Sequence, residues 1–282
     1  MQSGPAPFGV VPFENSTHGA VTFTLDALAD RAGELADIVV CDEVYLDVHH
    51  FLLGRFPPSA SAPSGVEGEE QPKHVPLADL SHLRRVYSHP QGFGQTGEFF
   101  RKYLKHVETV EVSSTSRAAE LAAADATGAS AAVASEWAGK GFGLDVLGRW
   151  VEDREDNTTR FFVLRKRAGG GDDVERERGG EEGGEAYGGQ KYKSLVSFTV
   201  PHRRPGALAD VLDCFRARGL NLTSISSVPS LDGPFQYLFF VEFEGSRLDD
   251  PEGRVAGVFE DLERVAERSR WLGSWRNRSG GR

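Results

Sequence analysis

Hydrophobic positions along the chain follow two periods, one suited to strands and one to helices. Residues 9–13 form a short apolar run and residues 24–35 have helical character. Residues 39–53 alternate in part, so that Val44, Leu46 and Val48 would share one strand face. Residues 85–88 suit a short strand, and Pro90 then stands where a helix's first turn accepts a residue without an N–H. Phe99, Phe100, Tyr103 and Leu104 follow on a helix. A strand at 109–112, a helix at 116–124 and strands at 131–135 and 159–165 complete this part. Strands alternating with helices in this order predict an α/β fold with sheets flanked by helices.

From residue 195 the pattern tightens. Residues 195–200 suit a strand, and Leu208, Val211, Leu212 and Phe215 recur at helical spacing. Strands at 220–228 and 235–243 flank a turn around Asp232, Gly233 and Pro234. Val255, Val258, Phe259, Leu262 and Val265 give a second amphipathic helix, and residues 271–275 close a fourth strand. The order is βαββαβ, the split unit of ferredoxin-like domains.

Two stretches interrupt these periods. Residues 55–76 are rich in Pro, Ser, Gly and Glu, and residues 168–190 hold nine glycines among 23 residues. Neither offers enough apolar surface to offset its ordering entropy, so both are expected to be mobile. The first reads as a surface-loop insertion, the second as a linker. The expected domains are therefore 1–167 and 191–282, joined by 168–190.

Composition narrows the function classes. With 282 residues, 39% of them hydrophobic and 26% charged, the chain can build the cores of roughly two domains. No run of about 18 apolar residues is present, so no membrane span is expected. Residues 1–12 carry neither a basic nor a long apolar region, and a cytoplasmic location is expected. Cys41 and Cys214 lie in apolar segments without metal-ligand spacing and are expected to be buried thiols in a reducing compartment. No metal or cofactor is called for. The net charge of -10 argues against nucleic-acid binding. Half of it lies at 168–190, where seven acidic residues face Arg176 and Arg178.

Four polar clusters fall at strand–helix junctions: residues 14–19, 88–91, 113–117 and 157–161. The first reads as a helix cap or as an anion site, because such a turn aims hydroxyls and backbone N–H groups at one point, and the next two read first as helix caps. In the fourth, Arg160 is either a solvated strand end or a bidentate carboxylate ligand.

Taken together and in order, these residues resemble a known family. Gly9 to Thr17 is similar to the "VPxEN" signature of prephenate dehydratases, and residues 43–53, with His50, to the segment that follows it. Ser88-His89-Pro90-Gln91 matches "SHPQ", Ser114 to Ala119 matches "STSxAA", and Asn157 to Phe161 matches "NxTRF". The resemblance implies a two-lobed, periplasmic-binding-protein-like catalytic domain with substrate between the lobes, followed by a ferredoxin-like ACT domain. It implies conversion of prephenate to phenylpyruvate, water and carbon dioxide. On that basis Thr159 is the donor to the leaving hydroxyl and Arg160 a candidate for electrostatic stabilisation or strand-end structure. Asn15, Ser16, Thr17, Gln91, Thr115 and Ser116 would bind substrate. His18 and His89 are expected to be exposed or capping.

The C-terminal part resembles a phenylalanine-sensing ACT module. Gly206, Ala207 and Leu208 follow its "GAL" pattern and would bind the effector L-phenylalanine, with a homodimer or higher oligomer formed through this module. The family's "ESRP" stands here as Ser226-Ser227-Val228-Pro229, without the Glu and Arg, and weaker effector binding is expected. Only eight residues precede Gly9, where the family has a further βαβ portion with a "GPxGTYS"-like turn. The first lobe is accordingly expected to be incomplete, with apolar side chains uncovered around Val10, Val11 and Phe13. Two rivals remain at this point: arogenate dehydratase, and a catalytically silent amino-acid-binding regulator.

Overall fold

The computed structural model describes residues 6–57, 72–167 and 192–279. The chain opens on β1 (Phe8–Asn15), a two-residue β2 (Gly19–Ala20) and α1 (Thr22–Ala29). The helix is shorter than the 24–35 expectation because Asp30 turns left-handed (φ 45°) and Gly33 follows at φ 70°. β3 (Ile38–Asp47) and β4 (Phe51–Gly54) replace the single strand expected over 39–53. β5 (Arg85–Ser88), α2 (Pro90–Gly94), α3 (Gly97–Tyr103), β6 (Glu108–Glu111), α4 (Thr115–Ala124) and β7 (Ser130–Ala134) keep the expected order. α5 (Glu136–Phe142) and β8 (Asp145–Gly148) were not expected, and β9 (Thr158–Lys166) follows them. Gly139 and Gly141 dilute the apolar period of α5, and Gly139 sits where a Cβ would press on Leu53. The last part runs β10 (Tyr192–Thr199), α6 (Ala207–Ala217), β11 (Leu222–Pro229), β12 (Tyr237–Glu244), α7 (Arg254–Val265) and β13 (Arg268–Arg276).

The chain divides into two units: residues up to Leu46 together with those from Thr158, and Asp47–Asn157. In the first, eight strands form one sheet in the order β11-β12-β10-β13-β3-β9-β1-β2. Its last four strands and two helices carry the βαββαβ pattern. One face packs α6 and α7 through Val211, Phe215, Val258 and Leu262 against Val196, Phe198 and Val241. β13 joins β3 in parallel at Gly273 and Val40. Gly273 has φ 142°, and a Cβ there would collide with the Val40 carbonyl, so a side chain would push these strands apart.

The other face is a core shared along the whole unit. Phe13, Leu25, Val40 and Phe162 pack with Leu195, Val228, Phe240, Leu272 and Trp275. The Phe162 ring stacks on Phe13 at 3.9 Å and meets Trp275 edge-on at 5.1 Å. Each fully buried large apolar side chain contributes roughly 1.5–3 kcal/mol, so this core ties β1, α1, β3 and β9 firmly to the βαββαβ strands. Of the three side chains expected to be uncovered, Phe13 is buried, Val11 packs against the core, and only Val10, at 61% exposure, faces solvent.

The second unit holds a five-stranded sheet, β6-β5-β7-β4-β8, with β5 parallel to β6 and β7. Leu52, Leu83, Val86, Val133 and Leu147 fill one face. Ala118, Ala119 and Ala122 of α4 lie against Ala132, Ala134 and Leu53 on the other, small side chains that let helix and sheet approach closely. α2, α4 and α5 each begin just beyond a parallel strand's C-terminal end, which turns their N-termini to the same edge. Residues 58–71, most of the expected loop insertion, and the expected linker 168–190 lie outside the described residues. Among the described residues no helix is long and apolar enough to cross a membrane.

Candidate active-site corner at the β1–β9 pair

β1 and β9 run antiparallel, which sets Asn15 opposite Thr159 and Glu14 opposite Arg160. Because side chains alternate along a strand, the two pairs point to opposite faces. Asn15 Oδ1 accepts the backbone N–H groups of Thr17 and His18, each at 3.0 Å. The polar run at 14–19 is thus an Asx-type turn closing on β2 rather than a helix cap. α1 begins after Val21, with no side-chain cap bond.

That turn determines which way the amide faces. With Oδ1 committed to two N–H donors, Asn15 Nδ2 must point at β9. It donates to Thr159 Oγ1 at 3.0 Å and to the Thr158 carbonyl at 3.3 Å. Thr159 Oγ1 therefore accepts from Asn15, and its own proton is directed elsewhere. Ser16 locks the same corner: its N–H donates to the Thr158 carbonyl at 2.9 Å, and its Oγ accepts the Thr158 N–H at 3.0 Å. Asn15, Ser16 and Thr159 are thus brought together. Thr17 and His18 lie at the exposed turn beside them.

Arg160 points the other way and is buried. Its Nε donates to Glu43 at 2.9 Å, and its Nη2 contacts Glu43 at 2.6 Å and Glu242 as well. Lys193 lies 3.7 Å from Glu43 and 3.3 Å from Glu242. Thr223 donates to Glu242 at 2.6 Å, and the Arg278 N–H donates to Glu43 at 2.8 Å. Burial opposes the Arg160 charge, but Glu242 and Glu43 outweigh it and hold the guanidinium above its ordinary pKa. Tyr45 adjoins this cluster, its phenol pushed up to about 12 chiefly by burial. The solvated-strand-end reading of Arg160 is therefore replaced: its Nε and Nη2 are taken up by Glu43 and Glu242, and its Nη1 lies 3.9 Å from Glu14.

In the second unit, His89 is the N-cap of α2, its Nδ1 accepting the Gln91 N–H at 3.2 Å. Gln91 is exposed, and Ser88 is buried with its hydroxyl donating to the Val133 carbonyl at 2.9 Å. Ser114 caps α4 through the Arg117 N–H at 3.1 Å, with Thr115 and Ser116 in the first turn. β5 and β6 are adjacent, so these two helix starts are neighbours. His50 is buried, its Nε2 2.6 Å from Gln95 Oε1 and its N–H bonded to the buried Glu152 at 2.8 Å.

In the βαββαβ part, Gly206 is the N-cap of α6 at φ 82°, Ala207 is buried and Leu208 packs on the helix core. An open cavity of about 570 Å³ lies beside this turn, lined by residues 201–205 with Gln236 and Glu267. Ser226 to Pro229 lie on β11, at the sheet's edge. Cys214 is buried, whereas Cys41 is only half-buried, its thiol donating to the Val163 carbonyl at 3.4 Å. Burial raises both thiol pKa values, which suits inert side chains.

Sequence reasoning missed Glu43, Lys193 and Glu242. Glu242, a lone charge within the apolar run 238–243, was an available signal, since such residues are rarely buried without partners; Glu43 beside Asp42 and Lys193 ahead of the expected strand carried none.

The family model described as prephenate dehydratase matches residues 1–169. The bifunctional chorismate mutase/prephenate dehydratase of Pseudomonas aeruginosa is 32% identical over 275 residues, 98% of this chain and 62% of that protein. The chain thus spans less than two thirds of that relative. The structure of prephenate dehydratase from Arthrobacter aurescens in complex with L-Phe superposes with a TM-score of 0.72 at 27% identity, covering 98% of this chain and 77% of that one. GqqA, described as a novel type of quorum-quenching acylase, superposes with a TM-score of 0.71 at 25% identity, covering 99% and 84%. With the matched region spanning more than half of its length and the motif residues in place on β1 and β9, the chain belongs to the prephenate dehydratase family.

Proposed function

We propose that the chain converts prephenate to phenylpyruvate, water and carbon dioxide. The observation that carries this is the Thr159 hydroxyl, which accepts from Asn15 and so keeps its proton for a substrate. In the reaction the C–C bond to the ring carboxylate breaks, and its electron pair enters the ring. The carboxylate leaves as carbon dioxide, and the C4 hydroxyl departs as water with one proton taken up from solvent, while the Thr159 hydroxyl hydrogen-bonds the leaving oxygen. Aromatisation supplies the driving force, so the protein needs a positioned donor at the leaving oxygen rather than a strong acid. A threonine hydroxyl meets that need, and removing one such donor costs about 100- to 1000-fold in rate. Ser16 and Thr17 are proposed as further binding groups at the corner. Gln91, Thr115 and Ser116 are proposed as those of the second unit, where a helix start favours a carboxylate. Arg160 is proposed to support the site from beneath it rather than to touch substrate.

Thr159→Val tests this directly. Phenylpyruvate formation should fall about 100-fold or more in kcat, with KM changed far less, because the bond is made in the transition state. A variant keeping most of its kcat would remove Thr159 from the mechanism. Turnover of arogenate or of an acyl-amide substrate, with none of prephenate, would move the chain to a different reaction.

We further propose that the βαββαβ part is an ACT module that senses L-phenylalanine at the Gly206–Leu208 turn and joins two or more copies. The phenylalanine complex of the Arthrobacter relative and the cavity beside Gly206 support this reading. Titration calorimetry and light scattering on the full chain should show weak phenylalanine binding by an oligomer. A monomer that does not bind phenylalanine would rule it out.

A further inference from the structure

We infer that Glu242, on β12 of the βαββαβ part, fixes the β9 strand at Thr159 by gripping Arg160, and so is a positioning residue for the reaction. β9 and β12 stand four places apart in the sheet, roughly 19 Å if it were flat. Arg160 and Glu242 nevertheless touch, because the two long side chains reach toward each other over the strands between them. Arg160, Glu43, Glu242 and Lys193 are all buried, two cations against two anions. A buried ion cluster of this kind adds little net stability, but it admits only one arrangement, because every partner must be met. The guanidinium fork is planar and held by carboxylates from two different strands, so Arg160 cannot slide without breaking a charged bond. Thr159 is the next residue on the same strand, and its register against Asn15 moves with Arg160. The βαββαβ part thus supplies a side chain that sets the geometry of the proposed donor.

This inference rests on the dehydratase reading only for what Thr159 does, not for what holds it. The test uses the full chain with Glu242→Gln and with the double variant Lys193→Met/Glu242→Gln. The double variant leaves one cation facing one anion and so keeps the buried charge balanced. Both variants should show faster amide hydrogen exchange at residues 158–161, while residues 130–134 of the second unit keep their protection. Phenylpyruvate formation should fall about 10- to 100-fold in kcat, as expected for a misplaced reacting group, with KM within about twofold. Unchanged exchange at 158–161 in the folded double variant overturns the inference, whatever the rate does. An equal rise at 130–134 also overturns it, because the effect is then global. If the parent chain forms no phenylpyruvate but exchange rises as stated, the dehydratase reading fails and the grip on β9 stands.

Discussion

Thr159 and Arg160 are neighbours on one strand and live in opposite surroundings. Thr159 is half-buried in a corner held by the Asn15 amide, the Ser16 hydroxyl and backbone N–H and carbonyl groups. Arg160 lies in the interior among two carboxylates and an ammonium group. Strand alternation separates them, and the difference assigns their work. A neutral, partly open corner can offer a proton to a ligand without reorganising. A buried ionic cluster turns its charges on one another, and its value lies in holding position.

The sharpest break in that comparison is Arg160→Met. It leaves Glu43 and Glu242 with Lys193 alone, an uncompensated buried charge that should cost about 3–5 kcal/mol of stability. Thr159→Val, one residue away, should stay within about 1 kcal/mol, because a β-branched residue suits the strand. Chemical denaturation of the two variants measures the contrast. Equal losses would mean that the two faces of β9 are not as different as they look.

How far the sequence shows this contrast depends on the range of each interaction. The strand itself is legible, since Phe161 to Leu164 form an apolar run, and the helices α6 and α7 follow from spacing alone. The motifs single out Asn15 and Thr159 separately, but do not show that the two meet across the β1–β9 pair. They cannot show that Arg160 is buried, because its partners Glu43 and Glu242 lie 117 and 82 residues away in sequence. The break between β3 and β4 is hidden for a similar reason. Residues 48–50 contain no Gly or Pro, and the chain turns there because the Val48 N–H pairs with the distant Asn157 carbonyl at 2.8 Å. The core that β1 and β9 share with β10 to β13 is equally unmarked: apolar period gives the face of a strand, not what it packs on.

A smaller change sharpens the neutral side of the comparison. Asn15→Asp keeps the size and the acceptor for the Thr17 and His18 N–H groups but replaces Nδ2 with an oxygen. Thr159 must then donate to the carboxylate, and its proton is diverted from substrate. Phenylpyruvate formation should fall about 100-fold, close to the loss of the donor itself. Asn15→Ala removes the same bond without capturing the proton and should be the milder of the two. If Ala proves as damaging as Asp, Asn15 acts only by shaping the turn, and the direction of the Thr159 hydroxyl is not what matters.

The smallest effect concerns the ionic side and appears only in alkali. The Tyr45 phenol is pushed up to about 12, first by burial, with Glu43 and Glu242 also raising it and Arg160 opposing them. In the unfolded chain a tyrosine titrates near pH 10. The folded state therefore holds the phenol proton more tightly, so this contribution to stability is fully present below about pH 10 and is lost as pH climbs toward 12. Tyr45→Phe cannot ionise and should flatten that part of the alkaline limb. Groups common to both chains cancel when the two stability curves are subtracted. Because Tyr45 is only half-buried, solvent screens its neighbours and the difference should be modest. Stability measured by denaturation at intervals between pH 9 and 12 decides it. Parallel curves would place the phenol outside the influence of the Arg160 cluster, and the closed ionic region would then end at Glu43.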